Sequence, residues 1–137
     1  IQIIFKLIRD LQKGVSLLIE AGVKPSRITL VGFSRGSHLT AIASDKLRGH
    51  KVNTALLAAC MKGDIPVNPP LDLDGNLYSI FETTDVMGTC AQLALQSRSL
   101  DSFEEVSITT GQAHGAFFKP LDEWVLPLKQ WIRKTNR

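Results

Sequence analysis

Ile28-Thr-Leu-Val-Gly-Phe-Ser-Arg-Gly-Ser-His38 is the stretch on which the reading of this chain turns. Ile28 to Val31 suits a buried strand, and Ser37 to Leu47 can continue as a helix. Between them, Gly32-Phe-Ser-Arg-Gly36 fits the G-x-S-x-G pattern of a nucleophile elbow. The spacing has a steric reason. A serine that projects its hydroxyl from so tight a turn takes a strained backbone, and its flanks two residues away must carry almost no side chain. Gly32 and Gly36 are expected to supply that room. Chance yields such a match in about one chain in twenty of this length, so the strand before it and the helix after it carry as much weight as the motif.

Upstream, Ile1, Ile4, Phe5, Ile8, Leu11, Val15, Leu18 and Ile19 recur at three- and four-residue steps, an amphipathic helix closed by Ala21-Gly22. Val23 to Ser26 is a short connector into the elbow strand. Downstream, Val52 to Ala59 is near-continuously apolar, as a strand covered on both faces should be. Cys60 to Asn76, with Pro66, Pro69 and Pro70, reads as a loop. Leu77 to Thr84 is a third strand and is followed at once by Asp85. Thr89 to Leu100 has helical spacing, with Thr89 as a cap. Phe103 to Thr109 is a fourth strand, and Gly111 to Gly115 is a loop holding His114. The last helix, from about Leu121 to Lys134, buries Trp124, Leu128, Trp131 and Ile132. Strands alternating with helices imply parallel strands joined by right-handed crossovers.

A serine in an elbow, an acid after a later strand and a histidine in a loop after the last strand, in that chain order, resemble the α/β-hydrolase family. The resemblance implies a partial α/β-hydrolase fold of about four parallel strands with flanking helices, matching the second half of the family's sheet with the N-terminal strands absent. Residues 1–137 would then be one domain, the C-terminal portion of a longer one. It also implies roles: Ser34 as nucleophile, His114 as its base, and Asp85 holding the imidazole. Glu82 is the next candidate for the acid, disfavoured because it still lies within the strand. The backbone N–H of Arg35 would donate to the oxyanion hole. The family's second donor comes from a loop after an earlier strand, which this chain does not supply. The activity implied is carboxylesterase-like cleavage of an ester, thioester or amide through an acyl-enzyme, with an acyl or other small-molecule substrate.

Plainer readings stand beside these. The elbow can be a glycine-containing turn without chemistry, or an anion-binding turn at a helix N-terminus. His114 can be a packed loop histidine, and Asp85 a turn residue. A non-catalytic hydrolase-like interaction domain is the alternative function. His38 and His50 read as structural or surface residues. Phe33, Phe117 and Phe118 lie near the presumed site, where they either shape an acyl pocket or pack the core.

The chain has 137 residues with 44% hydrophobic and 21% charged side chains, the composition of an ordinary globular domain. The net charge of +3 is scattered, which argues against a nucleic-acid or membrane partner. Arg133 to Arg137 reads as a frayed end. Cys60 and Cys90 have no metal-ligand spacing, and no cofactor or metal is implied; the two follow the ends of neighbouring strands at one edge of the sheet and could approach one another, so a disulfide stands as the alternative to the expected reduced thiols. The start at Ile1-Gln-Ile-Ile-Phe5 carries neither an initiator Met nor signal-peptide features and reads as internal. Localisation is not legible. With its N-terminal neighbours absent, the elbow strand is expected to be an exposed apolar edge prone to self-association.

Overall fold

The computed structural model describes residues 2–62 and 70–137. Pro66 and Pro69, read as loop residues, lie outside the described residues. Helix α1 (Gln2–Glu20) leads through a 3-10 turn (Pro25–Arg27) to strand β1 (Thr29–Phe33) and, across Ser34, to helix α2 (Arg35–Lys46). Strands β2 (Asn53–Leu57), β3 (Cys60–Met61), β4 (Asp74–Glu82) and β5 (Met87–Gly88) follow. Helix α3 (Ala91–Gln96), strand β6 (Ser99–Ile108), a second 3-10 turn (Ala113–Phe118) and helix α4 (Asp122–Thr135) complete the chain.

The main sheet has the order β1-β2-β4-β6, with every neighbouring pair parallel. Alternation along the strands sends Leu56 and Leu77 towards α2 and α3, where they pack with Ala41 and Leu93. Ala55, Tyr78 and Ile80 face α4 and meet Leu128 and Trp131. All five residues of β2 are buried, which is why this strand reads as one apolar run. Trp131 is 2% exposed, and its ring lies 5.1 Å from that of Tyr78. Burying a side chain of that size removes on the order of 200 Å² from water, worth roughly 5 kcal/mol before entropy is counted. Helix α1 seats Val15 on Ile28, Leu30, Leu47 and Val52.

Several boundaries differ from the sequence reading. Strand β4 reaches back to Asp74 and β6 to Ser99, because the amide and hydroxyl side chains that look like loop bond to one another inside the sheet. Asn76 donates to Asn53 Oδ1 at 3.0 Å and accepts from the Ser102 hydroxyl at 2.6 Å, while Asp74 accepts the Gly49 N–H at 2.6 Å. The register slips between Gly75 and Asn76, where Asp101 of β6 is left without a partner, and Gly75 itself, at φ 70, has no room for a Cβ, which would lie 2.3 Å from the Val52 carbonyl oxygen. Helix α3 is correspondingly shorter than Thr89–Leu100, although the Thr89 hydroxyl does accept the Ala91 N–H at 3.0 Å. The C-terminus is tied down rather than frayed. Helix α4 runs to Thr135, and the Ser26 hydroxyl donates to the Arg137 carbonyl oxygen at 2.7 Å.

The expectation of reduced thiols is overturned. Cys60 and Cys90 are disulfide-bonded, with Cα atoms 5.3 Å apart. The reason is the two-residue antiparallel pairing of β3 with β5, which sets Cys60 opposite Gly88. Strands this short leave no periodicity to read. Closing a loop of 30 residues stabilises the fold by roughly 3–4 kcal/mol in the chain-entropy account.

Candidate active site

Ser34 joins β1 to α2 with φ 55 and ψ −120, a conformation that L-residues avoid. The turn is over-determined by its surroundings. The Ser34 N–H donates to Leu57 O at 2.9 Å, and the Ser34 carbonyl accepts the N–H groups of Ser37 and His38 and the Ser37 hydroxyl. The glycines divide the steric work unequally. A Cβ on Gly32 would sit 2.4 Å from Thr40 Oγ1 and 2.5 Å from the Gly36 carbonyl oxygen. A Cβ on Gly36 would meet nothing within 4 Å. The close approach therefore lies between the Gly32 backbone and the first turn of α2, and the expected crowding at Gly36 is absent.

Asp85 and His114 come from the carboxyl ends of β4 and β6. The Thr83 N–H donates to Ile108 O at 2.8 Å, and Lys62 N–H to Val86 O at 3.2 Å, so the Asp85 turn is held from both sides. His114 sits in the 3-10 turn rather than in open loop. Its Nδ1 is 2.7 Å from Asp85 Oδ2, and its Nε2 is 2.9 Å from Ser34 Oγ. A carboxylate can only accept, so Nδ1–H donates to Asp85, and in that tautomer Nε2 is the ring nitrogen that can accept from the Ser34 hydroxyl. The other Asp85 oxygen accepts the Val86 N–H at 2.7 Å. The Asp85 side chain is 2% exposed and that of His114 is 35% exposed, leaving the imidazole open to a ligand on one side.

Glu82, the alternative acid, does not reach the histidine. It is fully buried at the end of β4 and accepts from the Thr84 N–H and hydroxyl, the Thr110 hydroxyl and the Ala113 N–H. Burial pushes its carboxyl up, but these donors outweigh it and hold the group at about 2. Because the folded value lies below the ordinary 4.5, this contribution to stability is complete above that pH and is lost as pH falls through about 2.

Phe33 lies 4.9 Å from the His114 ring, with Phe117 and Phe118 at 5.6 and 6.0 Å from Phe33. Phe117 is buried, while Phe118 is 72% exposed beside the imidazole. Arg35 opens α2, so its N–H has no partner one turn back in the helix. His38 donates from Nε2 to Ala59 O at 2.7 Å, and His50 is exposed. A cavity of about 370 Å³ lies between α2 and α3, lined by Leu56, Leu93 and the disulfide, and Ser34, Asp85 and His114 are not part of it. Among the described residues no three His, Cys, Asp or Glu side chains could hold a metal, and no helix is long and apolar enough to cross a membrane.

Comparison with solved structures places this topology. Arabidopsis thaliana SOBER1 superposes with a TM-score of 0.66 at 16% identity, and two single-substitution variants of it give 0.69 and 0.66 at 15% and 16%. The fold is that of the α/β hydrolases. The match takes in 98% of this chain and 65% of each SOBER1 chain, so the α/β-hydrolase fold is present in part. No family model matches the sequence, and no curated protein does.

Proposed function

We propose that this chain is a serine hydrolase cleaving an ester, thioester or amide through an acyl-enzyme on Ser34. The observation that supports this reading best is the unbroken line of bonds from Ser34 Oγ to His114 Nε2 and from Nδ1 to Asp85 Oδ2. In the first step His114 Nε2 takes the Ser34 proton as the oxygen bonds to the acyl carbon, and Asp85 balances the imidazolium. The carbonyl oxygen of the substrate becomes an oxyanion, towards which the Arg35 N–H donates. Collapse expels the leaving group, which takes the proton from Nε2. Water then gives a proton to the same nitrogen as its oxygen bonds to the acyl carbon, and collapse breaks the bond to Ser34, whose oxygen takes the proton back from Nε2 as the acid leaves. Phe33 and Phe118 flank the imidazole, and Phe117 backs Phe33.

Incubation with a fluorophosphonate probe tests the proposal. The wild-type chain should be labelled once, at Ser34, and Ser34→Ala should not be labelled. A folded wild-type chain that stays unmodified would leave the non-catalytic, hydrolase-like interaction domain as the better reading.

A further inference from the structure

We infer that Glu82 is a positioning residue, whose carboxylate ties the loop bearing Asp85 to the loop bearing His114 and thereby sets the contact between them. The inference rests on the catalytic reading of Ser34, His114 and Asp85. Each of the key donors stands one residue from that pair. Thr84, before Asp85, gives its hydroxyl to Oε2 at 2.8 Å, and Ala113, before His114, gives its N–H to the same oxygen at 2.7 Å. Thr110 adds its hydroxyl at 3.0 Å, and the Ala113 N–H also lies 3.1 Å from Thr84 Oγ1. A single oxygen is therefore the meeting point of two loops that are otherwise far apart in the chain.

Two further features give this knot its force. Glu82 is 0% exposed and, among the described residues, has no cationic partner, so neutral donors alone hold its charge. A donor that swung away would leave a desolvated carboxylate short of hydrogen bonds, which is costly enough to keep both loops in register. Ala113 also has φ 50, a left-handed backbone unusual for alanine. Its N–H bond to Glu82 secures that conformation and with it the direction in which His114 leaves the chain.

Glu82→Gln keeps the shape but turns an NH2 group towards N–H and hydroxyl donors, so one loop must shift. A displacement of about 1 Å costs on the order of 100-fold in rate. The maximal rate of fluorophosphonate labelling should fall about 10–100-fold, with the half-saturating probe concentration unchanged within about twofold. Thr110→Val, which removes one of the Glu82 donors, should fall less. Independently of reactivity, the downfield proton NMR signal of His114 Nδ1–H on Asp85 should weaken or shift in Glu82→Gln while the remaining spectrum stays folded. An unchanged signal, or unchanged labelling, in folded Glu82→Gln overturns the inference. If wild type fails to label, the catalytic reading falls and the NMR comparison still decides whether Glu82 sets the His114–Asp85 contact. Should Glu82→Gln not fold, Thr110→Val carries the same comparison, and wild-type behaviour there overturns it.

Discussion

The carboxyl ends of β4 and β6 and the opposite edge formed by α1 and β1 are finished on different terms. At the first, Glu82, Thr84, Asp85, Thr110, Ala113 and His114 bond to one another across two loops, and Asp85 and Glu82 are both buried. At the second, β1 has a neighbour on one side only among the described residues, Val31 is 48% exposed, and α1 leaves Ile3, Phe5 and Leu17 more than half exposed. Helix α1 buries just Ile8 and Val15. The difference separates two requirements of the site. The Ser34–His114–Asp85 geometry is held by this chain's own bonds, whereas the apolar surface behind the elbow lies open among the described residues.

The largest effect expected on this comparison comes from the relay itself. Ser34→Ala and His114→Ala should each lower turnover of a small activated ester by about 10⁴–10⁶-fold, and the double variant should be scarcely slower than either. Multiplicative losses on a small activated ester would show that the two side chains act separately. Next is the pair of glycines. Gly32→Ala should lower stability by about 3 kcal/mol or more through overpacking against α2, while Gly36→Ala should be neutral or stabilise by up to about 1 kcal/mol. Urea midpoints measure both, and similar values would contradict the unequal crowding at the elbow. The smallest effect belongs to the open edge, which we propose as the surface through which the chain self-associates. Val31→Lys should change stability by less than about 0.5 kcal/mol yet shift sedimentation towards monomer. Wild type that is already monomeric at high concentration would remove the proposal.

The α/β architecture and the order of its large elements were legible because β2 is buried along its whole length and the helices keep one apolar stripe. Ser34, Asp85 and His114, which the structure brings within hydrogen-bonding distance of one another, were legible because an elbow motif and strand ends leave local marks. What stayed hidden depends on contacts remote in sequence. The polar ladder of Asn53, Asn76 and Ser102 disguised the start of β4 as loop. The β3–β5 pairing that joins Cys60 to Cys90 is two residues long. Glu82 was visible only as a spare acid, since a carboxylate in a strand gives no sign that Thr110 and Ala113 will converge on it from 28 and 31 residues away.

Ser34 holds φ 55 in a fold where glycine would adopt that angle without cost. Backbone strain of this kind is worth about 1–3 kcal/mol, comparable with a sizeable part of a small domain's margin. Glycine at position 34 would thus make the turn more comfortable and, on the proposed mechanism, the chain inert. On that mechanism, any drift towards greater thermal resistance is opposed at this position by the need for a hydroxyl. The elbow is a place where robustness and reactivity pull one residue in opposite directions.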